Sequence, residues 1–489
     1  MNLKKNTIWN IVEVAISFTV ALIVTRLFIQ NYGMNEYGLF VTLTLLSGYG
    51  IISLFDLGMT GAAVTFAARY RNLGLSNELR MLWFFCLFYF FTIAVLAFFI
   101  ISTLIFLDFG SILYKIQSSR DGLKMVFPSL LLTFLSFFSF VFVSFLQAFE
   151  LYKSLQLVNV VSHLTRLLAA AYFLPFQGGP YNFFWAMVVI KLLSIIVLFI
   201  ILILSVNELK YPIRPSFKLV REWVNYSLIL FGSAIVGFFM NMLDKVLISS
   251  KLPFTDVGRY DVANKPANGL RMGLSVLYSA LEPATVRSYV SGGIGSVRRL
   301  YNKSTFYICF IIFPLIIVSL LNMENILKTW LGSSDTALVY LAIAAACYLI
   351  VVIHASVANV MLVAVGVAGK ILPLQIFSAF IVFILMTFLI GTYGLYGCVI
   401  AIFSGYLLSS ILILRYFYIF FKYETTGELR SIIFDSIFIF FTSITISWLF
   451  KKINLPENLK LYELIFIFVS ELTIIYIVLY AFFMSRLKK

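Results

Sequence analysis

Polar and charged side chains recur at helical spacing inside segments of the chain that are otherwise apolar. Between residues 155 and 177 they fall at steps of three, four and three, which places them on one face of a helix. These residues are Gln156, Asn159, His163 and Arg166. A second face of this kind carries Asn268, Arg271, Ser275 and Glu282. We expect both faces to line a bundle interior or a watery cavity, or else to hydrogen-bond between helices.

Single basic residues also interrupt apolar segments. Arg166 and Lys191 lie near the middle of theirs, where a charge costs about 2.5–3.5 kcal/mol on insertion scales. Arg26, Lys245 and Arg271 lie nearer the outer ends, from which they could also extend to the interface. We predict a cationic path that binds an anion such as a phosphate or pyrophosphate headgroup. The candidate binding residues are Arg166, Lys191, Arg271, Lys245, Arg26, His163, Asn159 and Asn268.

Four acidic residues inside apolar segments are candidates for ion coupling: Asp56, Asp244, Glu13 and Glu282. Their alternative role is to stabilise an interior Arg or Lys. Asp244 adjoins Lys245, but adjacent residues of a helix do not face each other. His163 could relay protons or could be a structural hydrogen-bonding residue. The sequence has no nucleophile–base pair, nucleotide-binding motif or metal-ligand spacing. We therefore expect no cofactor and no metal.

The elements that carry these residues are long apolar runs. Of the 489 residues, 62% are hydrophobic and 12% are charged, whereas soluble domains contain about 25% charged residues. The runs continue for twenty residues or more, without the alternation of a transmembrane barrel. Only a helix satisfies its own backbone hydrogen bonds in hydrocarbon. The composition thus predicts an all-α integral membrane protein, with the four cysteines as packing residues.

Fourteen spans are predicted. They lie at 8–30, 37–66, 81–107, 126–150, 155–177, 182–206, 223–250, 266–288, 303–322, 336–364, 371–391, 394–420, 431–450 and 459–484. The predicted organisation is a six-helix lobe over 1–222, a second six-helix lobe over 223–422 and two further helices over 423–489. No connecting loop is long enough to form a domain, which favours transport over catalysis.

The distribution of basic residues predicts the orientation. With both ends in the cytoplasm, 21 of the 36 Lys and Arg residues fall in inner segments and 10 in outer loops. Cytoplasmic loops collect Lys and Arg, so this bias places both ends inside. The same rule explains the net charge of +15 without a nucleic-acid partner.

A weak internal repeat links the two predicted lobes. "NEYGLF" at 35–40 and "DVGRYDVA" at 256–263 superpose Gly38 on Gly258, at an offset of 220 residues. That offset covers six spans. Six spans plus six of the same topology form the parallel-repeat plan that some transporters use.

Two segments resemble bacterial polysaccharide flippases of the Wzx type. Residues 31–70 contain a G-x-x-x-Y-G turn followed by D-x-G, matched by Gly33, Tyr37, Gly38, Asp56 and Gly58. Residues 241–265 resemble the segment that leads from an aspartate to G-x-Y-x-x-A, matched by Asp244, Gly258, Tyr260 and Ala263. The resemblance extends over the whole chain in length and span number, and is specific in these two segments.

The resemblance implies a member of the multidrug and oligosaccharidyl-lipid exporter superfamily, with two six-helix lobes around a central cavity. It implies that an undecaprenyl-pyrophosphate-linked oligosaccharide moves across the bacterial cytoplasmic membrane by alternating access, driven by a proton or sodium gradient. The product would be a surface glycan such as O-antigen or capsule. Expected partners are membrane lipid, the lipid-linked oligosaccharide, and the glycan polymerase and chain-length machinery.

Three other functions stay open at this point. A cation-coupled drug exporter of the same superfamily would favour an acidic cavity, which the intramembrane bases argue against. A glycan polymerase or lipid-dependent glycosyltransferase would need larger outer loops. A non-transporting scaffold for glycan assembly would tolerate changes to the polar faces.

Overall fold

A computed structural model describes residues 3–45, 55–107, 116, 122–176, 179–211, 213–332, 335–423, 427–451 and 460–487. Within these ranges the secondary structure is helical, apart from turns and short connections. The helices are α1 (Leu3–Leu45), α2 (Met59–Leu73), α3 (Ser76–Phe106), α4 (Gly122–Ala148), α5 (Tyr152–Phe173), α6 (Gly179–Ser205), α7 (Phe217–Asn241), α8 (Leu243–Lys251), α9 (Phe254–Leu321), α10 (Met323–Leu331), α11 (Thr336–Ala364), α12 (Ala368–Phe420), α13 (Gly427–Lys451) and α14 (Leu461–Leu487). A 3₁₀ turn at Asn207–Lys210 joins α6 to α7.

The predicted all-α membrane fold is confirmed. Ten helices in the described part of the chain are long and apolar enough to cross a membrane. Three of these ten are divided by a glycine with a positive φ, at Gly33, Gly293 and Gly394, a backbone conformation that other residues rarely adopt. If each divided helix is counted as two spans, the ten helices give thirteen. The helix α5, whose polar face lowers its hydropathy, is the fourteenth, so the number agrees with the fourteen predicted spans. Residues 46–54 of the second span lie outside the described ranges.

The chain forms two compact units, Met1–Asp261 and Val262–Lys489. The boundary between them falls inside α9. The predicted division was based on the internal repeat and not on packing contacts. It gave lobes at 1–222 and 223–422 and an added pair of helices at 423–489. Those boundaries stay a prediction.

The first unit has an aromatic-rich core between α2, α3, α4 and α6. The Trp83 ring packs edge-on against Phe145, with centroids 4.8 Å apart. Trp223 Nε1 of α7 donates to the Tyr70 hydroxyl of α2 at 2.9 Å, which satisfies the polar end of a fully buried indole. These contacts join α3 to α4 and α7 to α2.

The second unit has its own core, formed by α9, α11, α12, α13 and α14. Tyr348 of α11 stacks on Tyr406 of α12, with centroids 4.6 Å apart. The helices also carry large apolar side chains on their outer faces; Phe388 of α12 is 74% exposed. In water such faces would be unfavourable, and lipid covers them in a membrane protein.

Candidate functional site

The polar face of α5 packs against α1. Gln156 Nε2 donates to Asn10 Oδ1 at 2.8 Å, and Asn159 Nδ2 donates to Gln156 Oε1 at 3.2 Å. One turn further along, His163 Nε2 lies 3.0 Å from Glu13 Oε1. We call these five residues the α1–α5 cluster. Gln156, Asn159 and His163 were predicted to share one face of α5, and Glu13 was predicted as a candidate for ion coupling. Asn10 was not predicted.

A second group of polar contacts surrounds Lys191. Its ammonium donates to Ser139 Oγ of α4 at 2.9 Å. Beside it, Ser162 of α5 and Ser194 of α6 place their hydroxyl oxygens 2.6 Å apart. Arg166 lies close enough to Lys191 for their positive charges to interact. The structure thus brings the two predicted midplane bases together, with like charges near each other inside the membrane.

Lys245 belongs to a third group, where its charge is already paired. Lys245 Nζ donates to Asp261 Oδ1 at 2.6 Å. The other oxygen of that carboxylate accepts from the Tyr37 hydroxyl at 2.6 Å, and Tyr37 lies 3.0 Å from Thr25 Oγ1. We call these four residues the Lys245 network. It links α1, α8 and the start of α9.

Asp244, the neighbour of Lys245, faces a different partner. Its Oδ2 accepts from the Tyr260 hydroxyl at 2.6 Å, and its Oδ1 accepts from the Lys245 backbone N–H at 2.8 Å. The ammonium of Lys245 turns instead to Asp261. This agrees with the expectation that adjacent residues on a helix do not face each other.

The two motif glycines of the repeat lie against each other's segments. A Cβ on Gly38 would lie 1.7 Å from the Phe254 carbonyl oxygen, and one on Gly258 would lie 2.6 Å from the Met34 carbonyl oxygen. Phe254 follows Met34 by 220 residues, as Gly258 follows Gly38. The contact is therefore reciprocal, as between symmetry-related surfaces. This close approach gives a physical reason for glycine in both motifs.

Asp56 stabilises the start of α2. Its Oδ1 accepts from the Thr60 backbone N–H at 2.9 Å and from the Thr60 hydroxyl at 2.7 Å. Thr60 is in the first turn of α2, where N–H groups lack partners within the helix. Gly58 between them has φ 75°, and a Cβ there would lie 2.3 Å from the Ser227 carbonyl oxygen of α7. The D-x-G motif is thus explained as a helix start packed closely on α7.

We expect Asp56→Ala to destabilise the protein by about 1 kcal/mol, because the first turn of α2 loses its acceptor. Asp56→Asn keeps an acceptor oxygen and should unfold at the wild-type temperature. Thermal unfolding of the purified protein in detergent measures the difference. Equal midpoints for Asp56→Ala and Asp56→Asn would contradict a helix-capping role.

The remaining candidates are more exposed. Arg26 has an exposed side chain on α1. In the second unit, Arg271 and Glu282 are exposed on α9 and Asn268 is half-buried, along the predicted polar face. Their placement on one exposed face is compatible with a watery path. Their roles stay predictions.

Sequence reasoning missed Asp261 and Tyr37 as polar partners. Tyr37 is a position of the first motif and Asp261 lies within the second, but neither was recognised as part of a polar network with Lys245. Asp261 is 5% exposed, and sixteen residues separate it from the Lys245 with which it pairs. An acid inside an apolar helix was the available signal, because such a residue needs a partner.

Comparison with known proteins gives a family and a fold. The model of a family described as "polysaccharide biosynthesis protein" matches residues 35–340. No curated protein matches the chain in sequence.

Among solved structures, the lipid II flippase MurJ in an inward closed conformation matches with a TM-score of 0.72 and 13% identity, covering 98% of this chain and 99% of that chain. An inward-facing multidrug resistance transporter of the MATE family matches with a TM-score of 0.63 and 13% identity, covering 84% and 98%. A transporter from Pyrococcus furiosus, described with a binding pocket of reversed polarity, matches with a TM-score of 0.56 and 16% identity, covering 86% and 96%. The latter two are described as members of the MOP superfamily, and the chain is similar in fold to all three.

Proposed function

The chain belongs to the polysaccharide biosynthesis protein family, and we propose that it is a flippase for a lipid-linked oligosaccharide. In this proposal the substrate is an undecaprenyl-pyrophosphate-linked oligosaccharide for a surface glycan such as O-antigen or capsule. The protein acts in the bacterial cytoplasmic membrane, upstream of the glycan polymerase and chain-length machinery. An ion gradient drives its exchange between inward-open and outward-open states.

The observation that carries this proposal is the proximity of two positively charged side chains, Lys191 and Arg166. Lys191 donates to a neutral serine and interacts with a second base. Two positive charges near each other in a membrane repel strongly because the dielectric constant there is low. A pyrophosphate would compensate both, and a guanidinium beside an ammonium suits its oxygens.

The adjoining α1–α5 cluster fits the sugar portion. It presents amides, an imidazole and a carboxylate, which hydrogen-bond to hydroxyl groups. A polar path of this kind spares the oligosaccharide the cost of unpaired polar groups in hydrocarbon, which is several kcal/mol for each group. The prenyl tail would stay in lipid throughout.

The fold comparison supports a flippase over a drug exporter. The match to the lipid II flippase extends over 98% of the chain, whereas the match to the multidrug transporter extends over 84%. The paired bases also disfavour cationic drugs as substrates.

A leaflet assay tests the proposal. In a strain that lacks this protein and has no second flippase, labelled lipid-linked oligosaccharide should accumulate in the cytoplasmic leaflet. Wild type should restore delivery to the outer leaflet. We expect the double variant Arg166→Ala/Lys191→Ala to reduce delivery at least tenfold, which corresponds to about 1.4 kcal/mol in binding.

The matched control is Lys328→Ala, which removes an exposed lysine paired with Glu324 at 2.7 Å on the short helix α10. It should transport like wild type. Normal delivery in the deletion strain would contradict the proposed flippase function. Full rescue by the double variant would leave the flippase function standing but contradict a cationic path through Arg166 and Lys191.

A further inference from the structure

A buried carboxyl group lies in α14, away from every polar group described above. Glu471 is 1% exposed and ten residues into α14, about 15 Å along its axis. Its Oε2 accepts from Asn322 Nδ2 at 3.1 Å. Asn322 joins α9 to α10, and its Nδ2 also donates to the Val318 carbonyl oxygen at 3.0 Å. An ionisable residue at this depth calls for a functional explanation.

The other oxygen of this carboxyl group has no hydrogen-bond partner among the described residues, and the same is true of a nearby serine hydroxyl. Ser447 of α13 is 2% exposed and close enough to Glu471 to interact with it. These two atoms are Glu471 Oε1 and Ser447 Oγ. Buried polar atoms are rarely left in that state. Because the two residues that carry these atoms lie close enough to interact, a proton shared between the carboxyl group and the hydroxyl would give both atoms a partner.

Ser447 differs in this respect from a serine one turn away. Ser443, which is fully buried on α13, donates to the Ile439 carbonyl oxygen of its own helix at 2.7 Å. That bond is the usual one for a serine in a membrane helix. The Ser447 hydroxyl forgoes it, so its oxygen is available as an acceptor.

Charged groups on the elements packed around Glu471 are separated from it or from its partners along the helix axes. On the described side chains of α10, α13, α14 and the preceding part of α9 they are Glu324, Lys328, Asp435, Lys451, Glu463 and Lys303. Asp435 lies twelve residues from Ser447, about 18 Å along α13, and Lys303 lies nineteen residues before Asn322, about 28 Å along α9. Glu324 pairs with Lys328 at 2.7 Å. Glu463 lies eight residues from Glu471, about 12 Å along α14. The side chains that interact with the Glu471 carboxyl group are neutral, Ser447 and Asn322.

We propose that Glu471 is a proton-binding site in the membrane, with the proton on Oε1 and the O–H donating to Ser447 Oγ. One proton taken from water then gives both atoms a partner and removes a charge that no described neighbouring side chain compensates. A sodium ion would need several further oxygen ligands. Release returns the proton to water and leaves a carboxylate, which requires water to reach α14. Since the packing of α14 on α13 keeps water from the Glu471 carboxyl group, release of the proton depends on that packing.

Infrared spectroscopy of the purified full-length protein in lipid tests this site without relying on transport. The native-minus-Glu471→Gln difference spectrum at pH 7 should contain the C=O stretching band of one protonated carboxylic acid. Ser447→Ala should shift that band, because the O–H loses its acceptor. Ser443→Ala should leave the band in place.

Absence of the protonated band at pH 7 would overturn the proposal, as would a band that Ser447→Ala does not move. A carboxylate band that changes when sodium replaces choline would assign the site to a metal cation instead. If Glu471→Gln does not fold, the native-minus-Ser447→Ala spectrum carries the same band shift. Because the readout is spectroscopic, its failure leaves the flippase proposal intact, and loss of transport leaves this site intact.

Discussion

Changing Lys245 to methionine should lower the free energy of unfolding by about 3–5 kcal/mol, the cost of breaking a buried ion pair by removing one partner. Methionine keeps the apolar stem of the side chain and removes the ammonium. Asp261, 5% exposed, then loses the group 2.6 Å from its Oδ1. Asp261→Asn should cost a similar amount, because it leaves the ammonium without its carboxylate. Thermal unfolding in detergent, followed by a double-mutant cycle, measures both effects.

The double variant Lys245→Met/Asp261→Asn should recover most of the loss, since neither charge is left unpaired. The matched control is Arg259→Met, which removes a partly exposed pair with Asp256 at 3.8 Å on the same helix α9. Exposed pairs contribute about 0–1 kcal/mol. If Lys245→Met destabilises no more than Arg259→Met, the Lys245 network does not stabilise the fold. Wild-type transport by the double variant would show that the Lys245 ammonium is not needed for substrate binding.

The sequence predicts the helices of this protein well because hydrocarbon imposes one requirement on every span. A run of about twenty apolar residues has to be helical, since its backbone finds no other partner. The span at 336–364 was predicted with the bounds that α11 shows. The helix α5 was predicted despite its polar face, because its polar residues keep helical spacing. The breaks at Gly33, Gly293 and Gly394 lie at boundaries between predicted spans. The break at Met242, inside the predicted span 223–250, was not predicted, since it depends on local packing.

The candidate site was predicted less completely, because a sequence reveals the face of a helix but not the partner across from it. His163 and Glu13 were both singled out, but their contact at 3.0 Å joins helices 150 residues apart in sequence. Lys245 was grouped with substrate-binding bases because Asp261 was not recognised as its partner. Glu471 was not singled out although it lies at the middle of the predicted span 459–484. Its neighbours Asn322 and Ser447 are visible only in the folded structure.

Gly38→Ala should strongly destabilise the protein, even though alanine in place of glycine ordinarily stabilises a helix by about 1 kcal/mol. The added Cβ would lie 1.7 Å from the Phe254 carbonyl oxygen and 3.0 Å from the Gly258 nitrogen. Backbone atoms cannot turn away as a flexible side chain can, so the two segments must separate. Overpacking costs about 1–3 kcal/mol where the surroundings adjust, and we expect at least the upper end of that range.

The reciprocal contact makes the order of three variants informative. Gly258→Ala meets the Met34 carbonyl oxygen at 2.6 Å and should destabilise less than Gly38→Ala, while Gly232→Ala on α7 meets nothing within 4 Å. Unfolding midpoints in detergent should therefore rise in the order Gly38→Ala, Gly258→Ala, Gly232→Ala. A midpoint for Gly38→Ala as high as that for Gly232→Ala would show that the two motifs do not touch. Gly38 and Gly258 take part in the same contact between the two repeats, so either substitution disrupts it. The double variant Gly38→Ala/Gly258→Ala should therefore lower the free energy of unfolding by less than the sum of the two single changes.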